Sequence, residues 1–477
     1  MNPFHGTNGI AFGPDGRLHV ADFLGGRISA VDLSTAEVEV VVPAGDVVQS
    51  PDDIAFAEDG SMYITDLVPG RVWRRDPLGE LTLVSDEVKV PNGITCVGDR
   101  LFVNEMRPGG RLLELFPGGG EPVVLTGDLP MANAMQLGPD GHLHYPHVLT
   151  GEVHRISPDG GTPELVADGV HLPVAVRFDR EGALLILSSG PEGDITRISP
   201  DGRRQVITTG IFGLDNAAVD EDNRVYVSSF ASGGIAELHP DGRLRQIVPQ
   251  SLVGPYGLAV DRTGTLHAAD HYRVAGERTL SSTHGVAAGQ DELHTTSQYG
   301  EVRTGRRVRA KGLRCPLGIA VRDDGALVVA ETGAGRIIAI NADDAITVVA
   351  NGFSEPVDVA FDAHGRCYVS DEQGVVHRIG DGQPIAEGLA APQGIAVRGD
   401  ELLVVEAGRR RVLAIDLVTG EIRTEAGDLP LSPPRTVRAL FTHGMPGCPR
   451  AFTGLAVAPD GTLHVSGRGT VLRIPHE

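Results

Sequence analysis

The stretch NGIAFGPDGRLHVADFLGGRI, residues 8–28, decides the fold because it recurs along the whole chain. It returns as DDIAFAEDGSMYITDLVPGRV at 52–72, NGITCVGDRLFVNEMRPGGRL at 92–112 and NAMQLGPDGHLHYPHVLTGEV at 133–153. Further copies start at Val174, Asp215, Tyr256, His284, Leu317, Val357, Gln393 and Thr453. Within each copy an apolar run (GIAF) meets a turn (GPDG), then an alternating run (RLHVAD), a Gly-bearing turn and a third run (RISAVDL). Most copies add a fourth run, such as EVEVVVP at 37–43. The apolar period is two, the strand signature, and no stretch holds a helical period. Asp-Gly and Gly-Gly pairs supply the turns between antiparallel strands. Four short strands every ~40 residues read as one blade of a β-propeller.

The twelve copies start 44, 40, 41, 41, 41, 41, 28, 33, 40, 36 and 60 residues apart. Propellers usually close at about 4–8 blades, so the simplest partition is two tandem six-bladed propellers. Five plus seven is the competing partition. A Pro/Gly-bearing connector, PQSLVGP at 249–255, marks where regularity breaks, so the expected domains are 1–250 and 251–477. The copy at His284 stands too close to its neighbours for full four-stranded blades, and the last copy ends before a fourth strand.

A chain of 477 residues with 41% apolar content suits two packed sheet domains. No apolar run approaches the ~18 residues of a membrane helix. The start MNPFHGTNGI lacks a basic or hydrophobic leader, so cytoplasm is the expected compartment. The four cysteines, Cys96, Cys315, Cys367 and Cys448, have no metal spacing, and disulfides are not expected. Residues 1–250 carry 18 Lys and Arg against 36 Asp and Glu. An acidic first domain argues against nucleic acid, whose phosphates need a basic footprint. One basic stretch, VRTGRRVRAKGLR at 302–314, reads as a solvated loop, a docking face or an anion site.

The residue just before each innermost strand is the informative position. In the first domain it reads Asn8, Asp52, Asn92, Asn133, Val174 and Asp215. In the second it reads Tyr256, His284, Leu317, Val357, Gln393 and Thr453. Equivalent positions of a closed propeller lie on one circle around the channel. Five short oxygen-bearing side chains therefore face one small volume in the first domain. Two carboxylates with three amides form a hard-oxygen set of the kind Ca²⁺ or Mg²⁺ takes. Without a cation Asp52 and Asp215 would repel each other, and one would tend to keep a proton. Asn and Asp also favour turn starts. The second domain, however, has the same turns and uses Leu, Val and Tyr there.

The phrase GIAFGPDGRLHVAD resembles the blades of the regucalcin/gluconolactonase family and of NHL-repeat and streptogramin-lyase propellers. The resemblance implies a divalent cation in the channel, held by a Glu, two Asn and an Asp at this pre-strand position. Asn92 and Asn133 match the adjacent Asn pair. Asn8 stands where the family's Glu would be and Val174 where its Asp would be, while Asp52 and Asp215 are additional carboxylates.

The second strands of the first six blades end in Asp22, Asp66, Glu105, His147, Ser189 and Ser229. Asp22 and Asp66 read as structural acids bonding backbone. Glu105 and His147 depart from that pattern in adjacent blades and are the candidate general acid/base pair, with Asp215 as a further catalytic carboxylate. His5, Phe23, Met106, His171, Phe212 and Phe230 are the expected substrate pocket, an apolar collar over a polar floor. Asn8, Asp52, Asn92, Asn133 and Asp215 are the expected metal ligands. The second domain offers no ligand set and reads as a structural, docking or lid element, with a long insertion at 421–451. The sequence has no GxSxG, P-loop, dinucleotide fingerprint, HExxH or CxxC motif, which disfavours serine hydrolases and nucleotide or redox cofactors.

The leading expectation is a divalent-cation-dependent enzyme acting on a small molecule at the first propeller's mouth. The resemblance implies lactone or ester hydrolysis, with metal polarising a carbonyl and a side chain activating water. Lyase, isomerase or cyclase chemistry on a secondary metabolite is the alternative. A non-catalytic scaffold binding a partner protein is the third. Neither nucleic acid nor membrane is an expected partner.

Overall fold

The computed structural model describes residues 2–45, 47–277, 279, 281–381, 383–431 and 451–476. Among them the fold is all-β, interrupted only by 3-10 turns at Thr332–Ala334 and Ala407–Arg409. Twelve antiparallel sheets follow one another, each strand hydrogen-bonded to the next in sequence. The chain divides into two compact units between Val253 and Gly254. In each unit six innermost strands touch in sequence and the sixth returns to the first, closing a ring. The molecule is two tandem six-bladed propellers, and among the described residues no helix is long and apolar enough to cross a membrane. Cys96 and Cys367 are free thiols.

All six blades of the first propeller have four strands. In the second, the sheet built on His284 is complete: Thr283–Ala288, Leu293–Ser297, Val302–Thr304 and Arg307–Ala310. The short spacing falls instead on the preceding blade, whose third strand is only Arg273–Val274 and which has no fourth among the described residues. The Val357 blade is also three-stranded, with Ala386 making a single bridge to Val376 in place of a fourth strand. The last blade stops at three strands. Residues 432–450, most of the 421–451 insertion, lie outside the described residues.

Period-two apolar residues pack between neighbouring blades. Tyr63 and Val72 of blade 2 meet Ile94, Leu101, Val103 and Leu113 of blade 3, and each fully buried aliphatic contributes about 1.5–3 kcal/mol. The first ring is sealed where its ends meet. Thr7 Oγ1 donates to the carbonyls of Ser229 and Gly234 (3.1 and 3.0 Å), and Ser228 Oγ to that of Asn8 (2.6 Å). Phe4 and Ile10 pack there against Tyr226, Ile235 and Val248.

Three local devices deliver the pre-strand residues to the channel. A residue of positive φ stands two positions before most of them: Gly6 (123°), Val90 (52°), Met131 (62°), Leu172 (42°) and Gly213 (70°). A β-bulge follows. Thr7 pairs with Asp22 and Ile10 with Val20, so Asn8 and Gly9 together face Ala21. The same shift occurs at Asp52–Asp53, Asn92–Gly93 and Asp215–Asn216. Bulges re-aim side chains, and here two consecutive residues of a strand enter the channel. Where the second strand ends in an acid, that acid clamps the entering loop. Asp22 accepts from the backbone N–H of His5 (2.8 Å), Asp66 from Ser50 (2.7 Å), Glu105 from Lys89 (3.0 Å) and Glu331 from Arg314 (2.8 Å).

Candidate functional site at the mouth of the first propeller

Asn8, Asp52, Asn92 and Asn133 are all buried, at 2–8% exposure, while Asp215 keeps partial exposure. Asp52 is the hub. Asn92 Nδ2 donates to its Oδ1 (2.7 Å) and Asn8 Nδ2 to its Oδ2 (3.4 Å). Both amides thus turn their NH₂ groups to the carboxylate, and the oxygens Asn8 Oδ1 and Asn92 Oδ1 have no hydrogen-bond partner. Buried polar atoms are nearly always paired, so two orphaned carbonyl oxygens in one ring need an explanation. Asn133 differs from the sequence expectation. Its Oδ1 accepts from the N–H of Ala134 (2.7 Å), and its NH₂ lies on Met106 Sδ (3.2 Å), so it offers no oxygen as it stands.

Beneath this ring lies a second polar tier that the sequence reading missed. Asp53, next to Asp52 in the bulge, accepts from Asn216 Nδ2 across the channel (3.1 Å). Arg177 Nη2 stands 3.7 Å from Asp53 Oδ1. Its guanidinium also donates to the carbonyls of Ala217 (2.9 Å) and Met135 (3.1 Å), bridging inner strands. Gly9 makes room for this tier, since a Cβ there would lie 2.5 Å from Asp53 Oδ1. The visible signals were the doublets Asp52-Asp53 and Asp215-Asn216, and an arginine inside an innermost strand.

Three carboxylates therefore share the channel with one guanidinium. Burial, followed by the charges of Asp215 and Asp53, pushes Asp52 well above the usual carboxylate range. Burial and Asp53 push Asp215 up to about 8 against the opposing pull of Arg177. Burial also raises Asp53, partly offset by Arg177, and burial depresses Arg177 itself. With all four ionised the cluster carries two net negative charges, which one divalent cation would neutralise. Asn8, Asp52, Asn92 and Asp215 supply hard oxygens suited to such an ion.

Apolar side chains gather around the mouth. Phe23 and Met106 pack with Leu67, Val90 and Met131 in one apolar cluster. Phe212 is buried, and the Phe230 ring lies over Gly213, two residues before Asp215. His5 is held by Asp22, its Nδ1 3.7 Å from Oδ2. His171 is exposed and lies beside Gly190.

The expected Glu105–His147 pair is not assembled. Glu105 is fully buried and is saturated by Lys89 N–H, Arg107 (3.0 Å) and Arg111 (2.6 Å). Burial alone would raise its carboxyl, but Arg111, the Lys89 N–H and Arg107 outweigh it and hold it below its ordinary value. It is a clamping acid like Asp22, and Glu331 and Glu406 serve alike in the second propeller. His147 instead faces Glu152 and His154 of its own blade.

Half of the corresponding ring of the second propeller is an apolar cluster: Tyr256, Leu317 and Val357 pack with Phe452. His284 Nδ1 pairs with the Pro316 carbonyl (2.9 Å), and Gln393 bonds Glu372 and the Thr453 N–H.

Fold and site together define a class: a tandem six-bladed β-propeller with an acidic, oxygen-lined channel in its first ring. No family model and no curated protein matches the chain. Among solved structures it is similar to virginiamycin B lyase from Staphylococcus aureus (15% identity, TM-score 0.42, 62% of this chain and 94% of that one). It is also similar to a gluconolactonase from Xanthomonas campestris (17%, TM-score 0.42, 48% and 84%) and to a calcium-binding regucalcin from Agrobacterium tumefaciens (18%, TM-score 0.40, 48% and 83%). At these identities and scores the functional reading rests on the site.

Proposed function

We propose that the first propeller is a divalent-cation-dependent enzyme for a small organic substrate, with lactone or ester hydrolysis as its chemistry. The observation that carries this reading is the crowding of three buried carboxylates, Asp52, Asp53 and Asp215, around the single guanidinium of Arg177, beside the orphaned Asn8 and Asn92 oxygens. Asn8, Asp52, Asn92 and Asp215 hold the ion. The ion, when bound, supplies Lewis-acid polarisation of a carbonyl. Asp215, the ring carboxylate most open to the mouth, takes the proton from the attacking water. Phe23, Met106 and Phe230 shield the substrate's apolar part. Arg177, 3.7 Å from Asp53, offsets part of the cost of burying that carboxyl in the floor beneath the ring.

A panel of lactones, esters and eliminable or cyclisable metabolites, assayed with and without Ca²⁺ or Mg²⁺, tests the reading. Cation-dependent turnover of a lactone or ester, lost in Asp215→Asn, is the expected result. Cation-dependent turnover confined to eliminable or cyclisable substrates would move the chemistry to a lyase or cyclase at the same site. Turnover indifferent to chelator would overturn the proposal.

A further inference from the structure

Blade 4 departs from the repeat next to the channel. Its innermost strand is only Gln136–Leu137, and Ala134 pairs in parallel with Ala175 of blade 5. The adjoining strand, Leu143–His147, contains Pro146, which has no N–H to offer. On that strand Tyr145 lies opposite His154, and His147 opposite Glu152, of the strand Glu152–Ile156. Period two puts these four side chains on one face, the face that packs through Tyr145 and Ile156 against Phe102, Leu112 and Leu129 of blade 3.

The polar atoms of this face are poorly satisfied. His147 is 5% exposed, yet neither Nδ1 nor Nε2 has a hydrogen-bond partner. His154 Nδ1 and Tyr145 Oη are likewise buried without one. The two imidazoles stack with ring centroids 4.3 Å apart. Glu152 Oε2 stands 3.2 Å from His154 Nε2 and 3.7 Å from His147 Nδ1, and Thr150 Oγ1 steadies it at 2.9 Å. One ligand atom from each of His147, Glu152 and His154 lies within 4.8 Å of the others. Tetrahedral ligands at the ~2.0–2.1 Å bonds of zinc are about 3.4 Å apart, so small rotations suffice to close on an ion.

We propose that His147, Glu152 and His154 form a second metal site, distinct from the oxygen ring, that binds one first-row divalent transition ion such as Zn²⁺ and leaves a coordination position open. Two imidazole nitrogens and one carboxylate are a borderline-soft set that favours such ions over Ca²⁺ or Mg²⁺. Entry is from the side of Glu152, whose side chain is 35% exposed. Burial and the neighbouring His154 lower His147 to about 4 despite Glu152, so the ring is neutral at pH 7 and one of its nitrogens offers a lone pair to an ion.

Titration of the chelator-stripped full chain with Co²⁺, followed by visible absorption and displacement with Zn²⁺, tests this. One Co²⁺ per chain with intense d–d bands is expected, unlike the weak bands of six-coordinate oxygen sites. The bands should vanish in His154→Ala and in Glu152→Gln, and persist in Asp52→Asn/Asp215→Asn. Glu152→Gln keeps the test valid if His154→Ala fails to fold. No bands in the wild-type chain, or bands that survive His154→Ala or Glu152→Gln and disappear with the ring variant, would overturn the site. Ca²⁺ binding by the ring is read separately, so either proposal can fail alone.

Discussion

Replacing Asp215 by Asn should flatten the pH dependence of stability in the cation-free protein. Asp215 is pushed up to about 8 from an ordinary value of 3.8. Between those values the folded state keeps a proton that the unfolded chain releases, so folded molecules bind more protons. Stability therefore falls as pH rises, by about 1.4 kcal/mol per pH unit for one such group. Asp52, raised well above the usual carboxylate range, adds to the slope. The buried histidines act in the opposite sense. His147 and His284, lowered to about 4 from 6.5, raise stability with pH only until the unfolded chain's histidines have lost their protons. The window from about pH 6.5 to 8 therefore isolates the carboxylates, and Asp215 alone contributes roughly 2 kcal/mol across it. For a domain of this size that corresponds to roughly 4–8 °C in Tm. The assay is thermal melting of wild type and Asp215→Asn in chelator at stepped pH, repeated with Ca²⁺ or Mg²⁺. The wild-type Tm should fall through this window, Asp215→Asn should fall less, and cation should lift the wild type most at pH 8. Parallel curves for the two proteins in chelator would refute the coupling of these carboxylates.

Three other outcomes are expected. Glu105→Gln should cost about 1–3 kcal/mol, because Arg107 and Arg111 lose their shared buried carboxylate, while turnover per folded molecule, measured by active-site-independent folding controls, stays within a few-fold. Arg177→Met should cost about 3–5 kcal/mol by leaving Asp53 unpaired, and denaturant midpoints should show a larger rescue by divalent cation than in the wild type. His284→Ala and Tyr256→Phe alter the second propeller's ring and should leave turnover within a few-fold in the same substrate panel.

The architecture was legible because a repeat states its own boundaries. The phrase at residues 8–28, its period and the Asp-Gly turns fix strand order, and six such units close a ring. What spacing misplaced was the shortened blades: a four-stranded sheet can occupy the 33 residues after His284 when its outer strands shrink to Val302–Thr304 and Arg307–Ala310. The ring positions were readable as well, since equivalent residues must share a circle. The second tier was not, because a bulge is a register shift between strands, and only pairing such as Thr7–Asp22 followed by Ile10–Val20 reveals that Asp53 turns inward beside Asp52. Glu105 looked exceptional against Asp22 and Asp66, but its longer side chain reaches the same loop N–H and two arginines. His147 lies near Glu152 and His154 through cross-strand pairing, which sequence distance alone does not convey.

The most direct measurement is calorimetric titration of the chelator-stripped chain with Ca²⁺ and Mg²⁺, compared with Asp52→Asn/Asp215→Asn. The expected result is one hard divalent cation bound per wild-type chain, with that binding abolished in the double variant while its fold is retained. No binding by the wild type, or equal binding by both proteins, would contradict a cation held in the first propeller's channel.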